Sequence, residues 1–583
     1  MQQGIVVVLE DILQELGVSD AAFVVSRPSD FTHGDYTTNA ALVVAKLLHK
    51  SPREVAELML QKLQTKLSTQ SVSDIKVAGP GFINFYLTHE AIISEVVKAA
   101  SGERPTFTSD VLGHTVMVEY TDPNPFKEFH IGHLMSNTIG ESIARTLEMA
   151  GAKVLRANYQ GDVGLHVAKA LWGMSQKNKE LGGGGVSNYT SAFLGKAYAH
   201  GAKAYEENLE VKQEIDEINK KVYTEFGSNS EVSSMYKTGR EISLAHFEDL
   251  YKTLGTTFDK AFYFFESETW QKGLALVEAH ENDGVFEKSD GAIVFKGERV
   301  GLHTRVFINS AGLPTYEAKD LGLLQLKKER VEKEKVTLDV SISITASEQT
   351  EYFKVMLAAA REIPEVSDIA HKTTHVAHGM MRFAEGKMSS RRGNVITGES
   401  LLMDLKDAAR EKMKGRELKD SEKTAEAVAV GAIKYAILKQ GKGKDIVFDP
   451  EKSLSIEGDS GPYLQYAHTR AQSLLTAAKK KSALPDSLET ALTSDFSPPA
   501  SRTLLERALI HNTEVLSRAV AELEPHYITT YVTELASLFN SWYASERVIG
   551  SAEEESGIIL VQAFAHTMQQ GLQLLGIPVP EEM

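Results

Sequence analysis

The segment Val118-Glu119-Tyr120-Thr121-Asp122-Pro123-Asn124-Pro125-Phe126-Lys127-Glu128-Phe129-His130-Ile131-Gly132-His133-Leu134 decides the fold. It begins inside an apolar run, 115–120, that reads as a buried strand. It ends in a helical pattern that continues to about Ala150. Ile139, Ile143, Leu147 and Ala150 recur four, four and three apart, which gives one apolar helix face. Gly151 stands where a helix end wants a residue free to turn left-handed, and 154–158 reads as the next strand. Strand, helix and strand in this order form a parallel crossover, the unit from which a doubly wound α/β sheet is built.

Residues 1–105 read as a small α/β unit. Helical patterns cover 5–17, 38–48 and 52–67, and strands at 75–78 and 82–87 flank the turn Gly79-Pro80-Gly81. Residues 106–400 carry the parallel-sheet pattern, interrupted by an insertion at about 175–300. The insertion contains the run Gly182–Gly185 and charged helices that read as solvated faces. The sheet pattern resumes near Gly301, and 336–345 is a β-branched strand followed by Ala346-Ser347-Glu348-Gln349. Residues 401–583 are helical, with a loop at 482–500 marked by Pro485, Pro498 and Pro499.

The chain has 583 residues, enough for roughly three or four domains. It has no cysteine, which excludes disulfides, thiolate zinc sites and cysteine nucleophiles. No apolar run approaches the ~20 residues of a membrane helix. The first 17 residues lack the basic start and long apolar stretch of a secretion signal, so a cytoplasmic protein is expected. A net charge of −16 speaks against broad phosphate-binding surfaces and leaves room only for local basic patches.

One such patch lies in the opening segment. A helix start offers free N–H groups and a positive dipole end, both attractive to phosphate. Gly132 admits close approach to the backbone. His130 and His133, three apart, face one side and can donate to phosphate oxygens as charge grows on them. Lys127 adds a cation just upstream. No Walker-type loop competes, because Gly386-Lys387 is followed by Met388 and Gly443-Lys444 by Asp445. A second basic, glycine-bounded loop follows far downstream: Gly386-Lys387-Met388-Ser389-Ser390-Arg391-Arg392-Gly393.

The two elements in this order resemble the HIGH and KMSK signatures of class I aminoacyl-tRNA synthetases. Within that class the chain resembles the arginyl-tRNA synthetases over nearly its full length. The likeness is carried by 118–134, by Arg156-Ala157-Asn158-Tyr159-Gln160-Gly161-Asp162-Val163-Gly164, by Gly461-Pro462-Tyr463-Leu464-Gln465-Tyr466-Ala467-His468-Thr469-Arg470 and by the ending 575–583. Near the start, His33-Gly34-Asp35-Tyr36-Thr37-Thr38-Asn39 and 78–85 resemble the extra N-terminal domain of that family. The resemblance implies a Rossmann-like catalytic domain with an insertion, a small α/β N-terminal domain that meets the tRNA D-loop, and an all-α anticodon-binding domain.

It also implies ATP and Mg²⁺ as cofactors, L-arginine and its tRNA as partners, a monomer, and a need for tRNA before arginine is activated. His130, His133, Lys127 and Lys387 are the expected catalytic residues. Gly132, Met388 and Ser389 complete the expected ATP site. Asp122, Pro123, Asn124 and His133 are expected at the backbone end of arginine, and Tyr316, Asp320 and Gln349 at its guanidinium, with Glu119 adding acidity. Tyr463, Tyr466, Arg470 and Met583 are expected at the anticodon. Tyr316 and Asp320 are one helical turn apart, which suits a guanidinium fork. The usual second lysine of the KMSK loop is Ser390 here, and Lys127 is expected to supply the missing charge, with Arg391 a weaker candidate. Another class I synthetase, a smaller nucleotidyltransferase and a catalytically dead tRNA-binding paralogue are the rival readings. The absence of cysteine, the N-terminal match, the chain length and the presence of His130, His133 and Lys387 weigh against them.

Overall fold

A computed structural model describes residues 1–107, 109–180, 189–224, 230–384, 396–481 and 500–583. The described residues form two compact units. One comprises 109–462, 523–526 and 573–583; the other comprises 1–108, 463–522 and 527–572.

The larger unit is built on five parallel strands: β1 (Thr115–Glu119), β2 (Lys153–Gln160), β3 (Tyr263–Phe265), β4 (Val340–Ala346) and β5 (Thr373–His378). Their order across the sheet is β5-β4-β1-β2-β3. The chain therefore winds outward one way from β1 and then crosses to the other side through β4. This reversal leaves a crevice at the carboxyl ends of β1 and β4, the place where doubly wound sheets bind ligands. Val116, Met117 and Val118 are fully buried, as expected of a central parallel strand covered on both faces.

Helix α1 (Ile131–Met149) follows β1. Its Leu134 and Met135 pack into a cluster with Leu401, Leu405 and Ile433, so the helices Gly398–Lys412 and Ser421–Leu438 belong to the larger unit. The helical region read from 401 onward is thus shared between the two units. The sheet resumes earlier than the expected Gly301. It is re-entered at Tyr263 by a strand of three residues, too short to carry a period-2 pattern. Residues around Gly301 belong instead to a separate antiparallel sheet of Glu287–Ser289, Ala292–Phe295 and Arg305–Ile308.

Helices α2 (Glu266–Ala279) and α3 (Tyr316–Lys333) pack unusually close. A Cβ on Gly273 would lie 1.8 Å from the Ala318 carbonyl oxygen, and one on Gly322 would lie 2.0 Å from that of Thr269. This contact sets the height of α3, which carries Tyr316 and Asp320.

In the smaller unit the sheet order is Val25–Ser26, Tyr36–Thr38, Phe82–Leu87, Val72–Ala78, all antiparallel. The helical pattern expected over 38–48 shrinks to Ala40–Val44, because Tyr36–Thr38 is taken into the sheet. Asp35 accepts from the Leu87 N–H at 2.8 Å and from Arg507 Nε at 2.6 Å. The His33–Asn39 motif therefore ties the N-terminal sheet to the helix Ala500–Leu509 within that unit.

Gly322→Ala should destabilise the larger unit by about 1–3 kcal/mol through overpacking, despite the ~1 kcal/mol that alanine gains over glycine in a helix. Urea unfolding checks this, and a variant as stable as the natural protein would contradict the close-packing account.

Candidate active site

The exit of β1 is strained. Thr121, Asp122 and Phe126 have φ of 79°, 46° and 69°, a region that non-glycine residues rarely enter. Side-chain bonds hold this turn in place. The Thr121 N–H donates to Ser136 Oγ at 3.0 Å, and the Ser136 hydroxyl donates to the Ile344 carbonyl of β4 at 2.8 Å. Asn137 donates to Thr121 Oγ1 at 3.0 Å, and the Phe126 N–H donates to Ser243 Oγ at 2.9 Å. Asp122 accepts from the Tyr159 N–H of β2 at 2.7 Å. Strain maintained by such a frame is characteristic of functional turns.

His130 is the N-cap of α1. Its Nδ1 accepts from the His133 N–H at 3.4 Å, and His133 Nδ1 accepts from the His130 N–H at 3.3 Å. The rings stack with centroids 3.4 Å apart. Because each Nδ1 accepts, each neutral ring carries its proton on Nε2, so both rings present a donor. Burial, then the neighbouring His130 and Lys127, holds His133 well below the usual histidine range. His130 is exposed yet also held low by the surrounding walls and by Lys127. Gly132 leaves room for the histidine ring: a Cβ there would lie 3.0 Å from His130 Cε1, a tight contact.

The half-buried Lys127 ammonium lies 5.1 Å from the centre of the Tyr198 ring. Among the described residues it has no carboxylate within ion-pair distance. Gly398 N–H donates to the Phe129 carbonyl at 2.8 Å, and Thr397 bridges to His130. Lys387, Met388, Ser389, Ser390 and Arg391 lie outside the described residues, as do Gly182–Gly185 and most of the 482–500 loop.

The other end of the crevice is acidic. Asp320 on α3 accepts from the Tyr352 hydroxyl at 2.6 Å. Burial, reinforced by Glu119 and Glu266, pushes its carboxyl up to about 7. Asp122 is also raised, by burial and then by Glu119. Tyr316 is 65 % exposed, with Lys319 5.1 Å from its ring, and Gln349 is exposed at the end of the turn Ser347–Gln349. Pro123 is buried, and a Cβ on Gly161 would lie 2.3 Å from Asn124 Oδ1.

Three partners in this region were not evident in the sequence. Tyr352 donates to Asp320 from the first turn of the helix Thr350–Arg361; its closeness in sequence to Gln349 was the available signal. Lys319 pairs with Glu266 at 2.8 Å, both buried. Lys327 pairs with Glu119 at 3.0 Å. In the last two pairs the partners are far apart in sequence, so spacing could not find them.

In the smaller unit, Tyr463, Tyr466 and Arg470 lie on the helix Gly461–Lys480. Arg470 donates to Asn540 Oδ1 at 2.8 Å and to the Tyr466 hydroxyl at 3.0 Å. Its guanidinium lies 4.6 Å from the Tyr466 ring and 4.9 Å from the Tyr543 ring. Met583 belongs to the larger unit, where it packs against the cluster that contains Leu401 and Leu405.

Residues 104–450 match the family described as tRNA synthetases class I (R), catalytic domain. Residues 464–583 match the DALR anticodon binding domain, and 1–87 the arginyl tRNA synthetase N terminal domain. The chain is 30% identical over 582 residues to an arginine–tRNA ligase of Shewanella loihica, covering 97% of this chain and 96% of that protein. It is 29% identical over 574 residues to one of Lactococcus lactis, covering 97% of each. Among solved structures it is similar to the Thermus thermophilus arginyl-tRNA synthetase, with a TM-score of 0.79, 25% identity and full coverage of both chains.

A carboxyl raised from 3.8 to about 7 means that the folded state binds more protons than the unfolded state between those values, so this group costs stability as pH rises through that window. Urea unfolding of Asp320→Asn beside the natural protein should show the variant gaining relative stability from about pH 4 to pH 7. A constant difference would contradict the raised carboxyl.

Proposed function

The chain belongs to the class I arginyl-tRNA synthetase family, ligases that use ATP to charge tRNA with arginine, and from that membership we propose how its own residues perform the reaction. The carboxylate of arginine attacks the α-phosphorus of ATP, forming an acyl–phosphate bond as the bond to pyrophosphate breaks. A ribose hydroxyl of the terminal tRNA adenosine then attacks the arginyl carbonyl and AMP leaves. Neither step needs a covalent enzyme nucleophile. Both need reactants held in line and charge stabilised on the phosphates.

One observation carries this assignment: the stacked His130–His133 pair caps α1 at the β1/β4 crevice with each Nδ1 engaged and each Nε2–H without a hydrogen-bond acceptor among the described residues. Its donors suit phosphate oxygens, and Gly132 keeps the His130 ring in place. Lys127 supplies the cation that a second KMSK lysine would otherwise bring, and its lack of a carboxylate partner among the described residues supports that role. Lys387 is the other cation, with Met388 and Ser389 beside the nucleotide. The loop that bears them leads into Thr397 and Gly398, which pair with the His130 turn. Mg²⁺ enters on the phosphates of ATP, as part of that substrate.

Asp320 takes the guanidinium as an ion pair, and Tyr316 and Gln349 complete its surroundings. Asp122, Pro123, Asn124 and His133 hold the amino-acid backbone end. Residues 1–105 meet the D-loop, and Tyr463, Tyr466, Arg470 and Met583 meet the anticodon, where aromatic rings and a guanidinium suit unpaired bases. The enzyme works as a cytoplasmic monomer. No described helix is long and apolar enough to cross a membrane.

His133→Ala, Lys127→Ala and Lys387→Ala should each slow adenylate formation by about 10²–10³-fold, the usual loss for one transition-state donor, while arginine affinity changes far less in the two lysine variants and falls in His133→Ala as well. Single-turnover quench measurements with tRNA present check this, beside circular dichroism of each variant. A folded variant with the natural rate would remove that residue from the phosphate clamp.

A further inference from the structure

Glu119 is the last residue of β1, and the chain runs directly from it into Asp122, Pro123 and Asn124. Its two carboxylate oxygens face different neighbours. Oε1 accepts from the Ser343 hydroxyl of β4 at 3.0 Å, and Oε2 lies 3.0 Å from Lys327 Nζ. The two side chains of this ion pair are 5 % and 1 % exposed. Lys327 stands on α3 seven residues after Asp320, two turns along the same helix face. The pair is the one polar side-chain tie between β1 and α3 among the described residues. One end of it belongs to the strand that delivers the backbone-end residues, the other to the helix that delivers Asp320.

We propose that the buried Glu119–Lys327 ion pair is a spacer, which fixes the distance between the carboxylate end and the guanidinium end of the arginine pocket and thereby selects the length of guanidino acid activated. This deepens the assignment of Asp320 to the guanidinium and rests on it. A buried ion pair contributes little net stability compared with apolar residues of the same size, so its place here calls for a role in specificity. Lys327 also opposes the crowding of negative charge, because Glu119 raises both Asp122 and Asp320 while Lys327 lowers them. Lys327 is a positioning residue: it acts through Glu119 and α3 without touching substrate.

Glu119→Gln/Lys327→Met removes both charges together and preserves volume, so no unpaired charge is left buried. ATP–pyrophosphate exchange with tRNA present is measured on arginine, homoarginine and 2-amino-4-guanidinobutyrate. The double variant should lose about tenfold or more of the natural preference for arginine over the two length variants, with arginine KM raised and ATP KM unchanged. Ser343→Ala, a milder change that loosens Glu119, should shift the preference in the same direction by a smaller factor, and it decides the matter if the double variant does not fold. An unchanged preference in folded variants, whatever happens to their unfolding midpoint, makes the pair a structural brace and overturns the proposal. Asp320→Asn is run in parallel. If it leaves arginine KM unchanged, the pocket assignment itself fails; if it raises KM while the preference of the other variants holds, only the spacer fails.

Discussion

The hydroxyl of Ser136 holds the two sides of the crevice together. It accepts from the Thr121 N–H at the strained exit of β1 and donates to the Ile344 carbonyl of β4. One buried group on α1 thereby pins the first turns of that helix to both strands flanking the point where the sheet reverses its winding. The left-handed Thr121 and Asp122 persist because this frame determines them, and they bring the chain round so that His130 can cap α1 with its neighbour three residues on. The two imidazoles are therefore fixed by the backbone turn they cap, which is what electrostatic preorganisation of the proposed phosphate donors requires.

The crevice divides by charge. At one end stand Lys127 and the two imidazoles, in surroundings that keep the histidines neutral and donating. At the other stand Asp122 and Asp320, carboxyls raised by burial and by their nearness to Glu119. Under the proposed assignment a cationic side chain would relieve the second end and a polyphosphate would suit the first. The overall charge of −16 is compatible with tRNA as a substrate for the same reason: what matters is local arrangement.

Much of this was legible in the sequence, for identifiable reasons. The β1–α1–β2 unit showed itself because apolar periodicity and a terminating glycine are local signals. The spacing of His130 and His133 within one turn gave their common side, and the spacing of Tyr316 and Asp320 gave theirs. The left-handed residues at Thr121 and Asp122 were hidden, since neither is glycine. The three-residue strand Tyr263–Phe265 was too short to read, and an antiparallel sheet stood where the parallel one was expected to resume. Partner choice was the largest gap. Glu119 was expected to add acidity at the guanidinium, and the structure sets Lys327 and Ser343 beside it; Asp35, in the motif that resembles the N-terminal domain, is bonded to Arg507. Such pairings depend on how distant elements pack, and no local period encodes them.

If the proposed acidic pocket and phosphate clamp share one switch point, the enzyme activates arginine and no other amino acid. ATP–pyrophosphate exchange, run on the purified protein with each of the twenty amino acids, with and without total tRNA, measures this directly. Exchange is expected with arginine alone, and only when tRNA is present. Exchange supported by another amino acid, or none with arginine when tRNA is supplied, would contradict it.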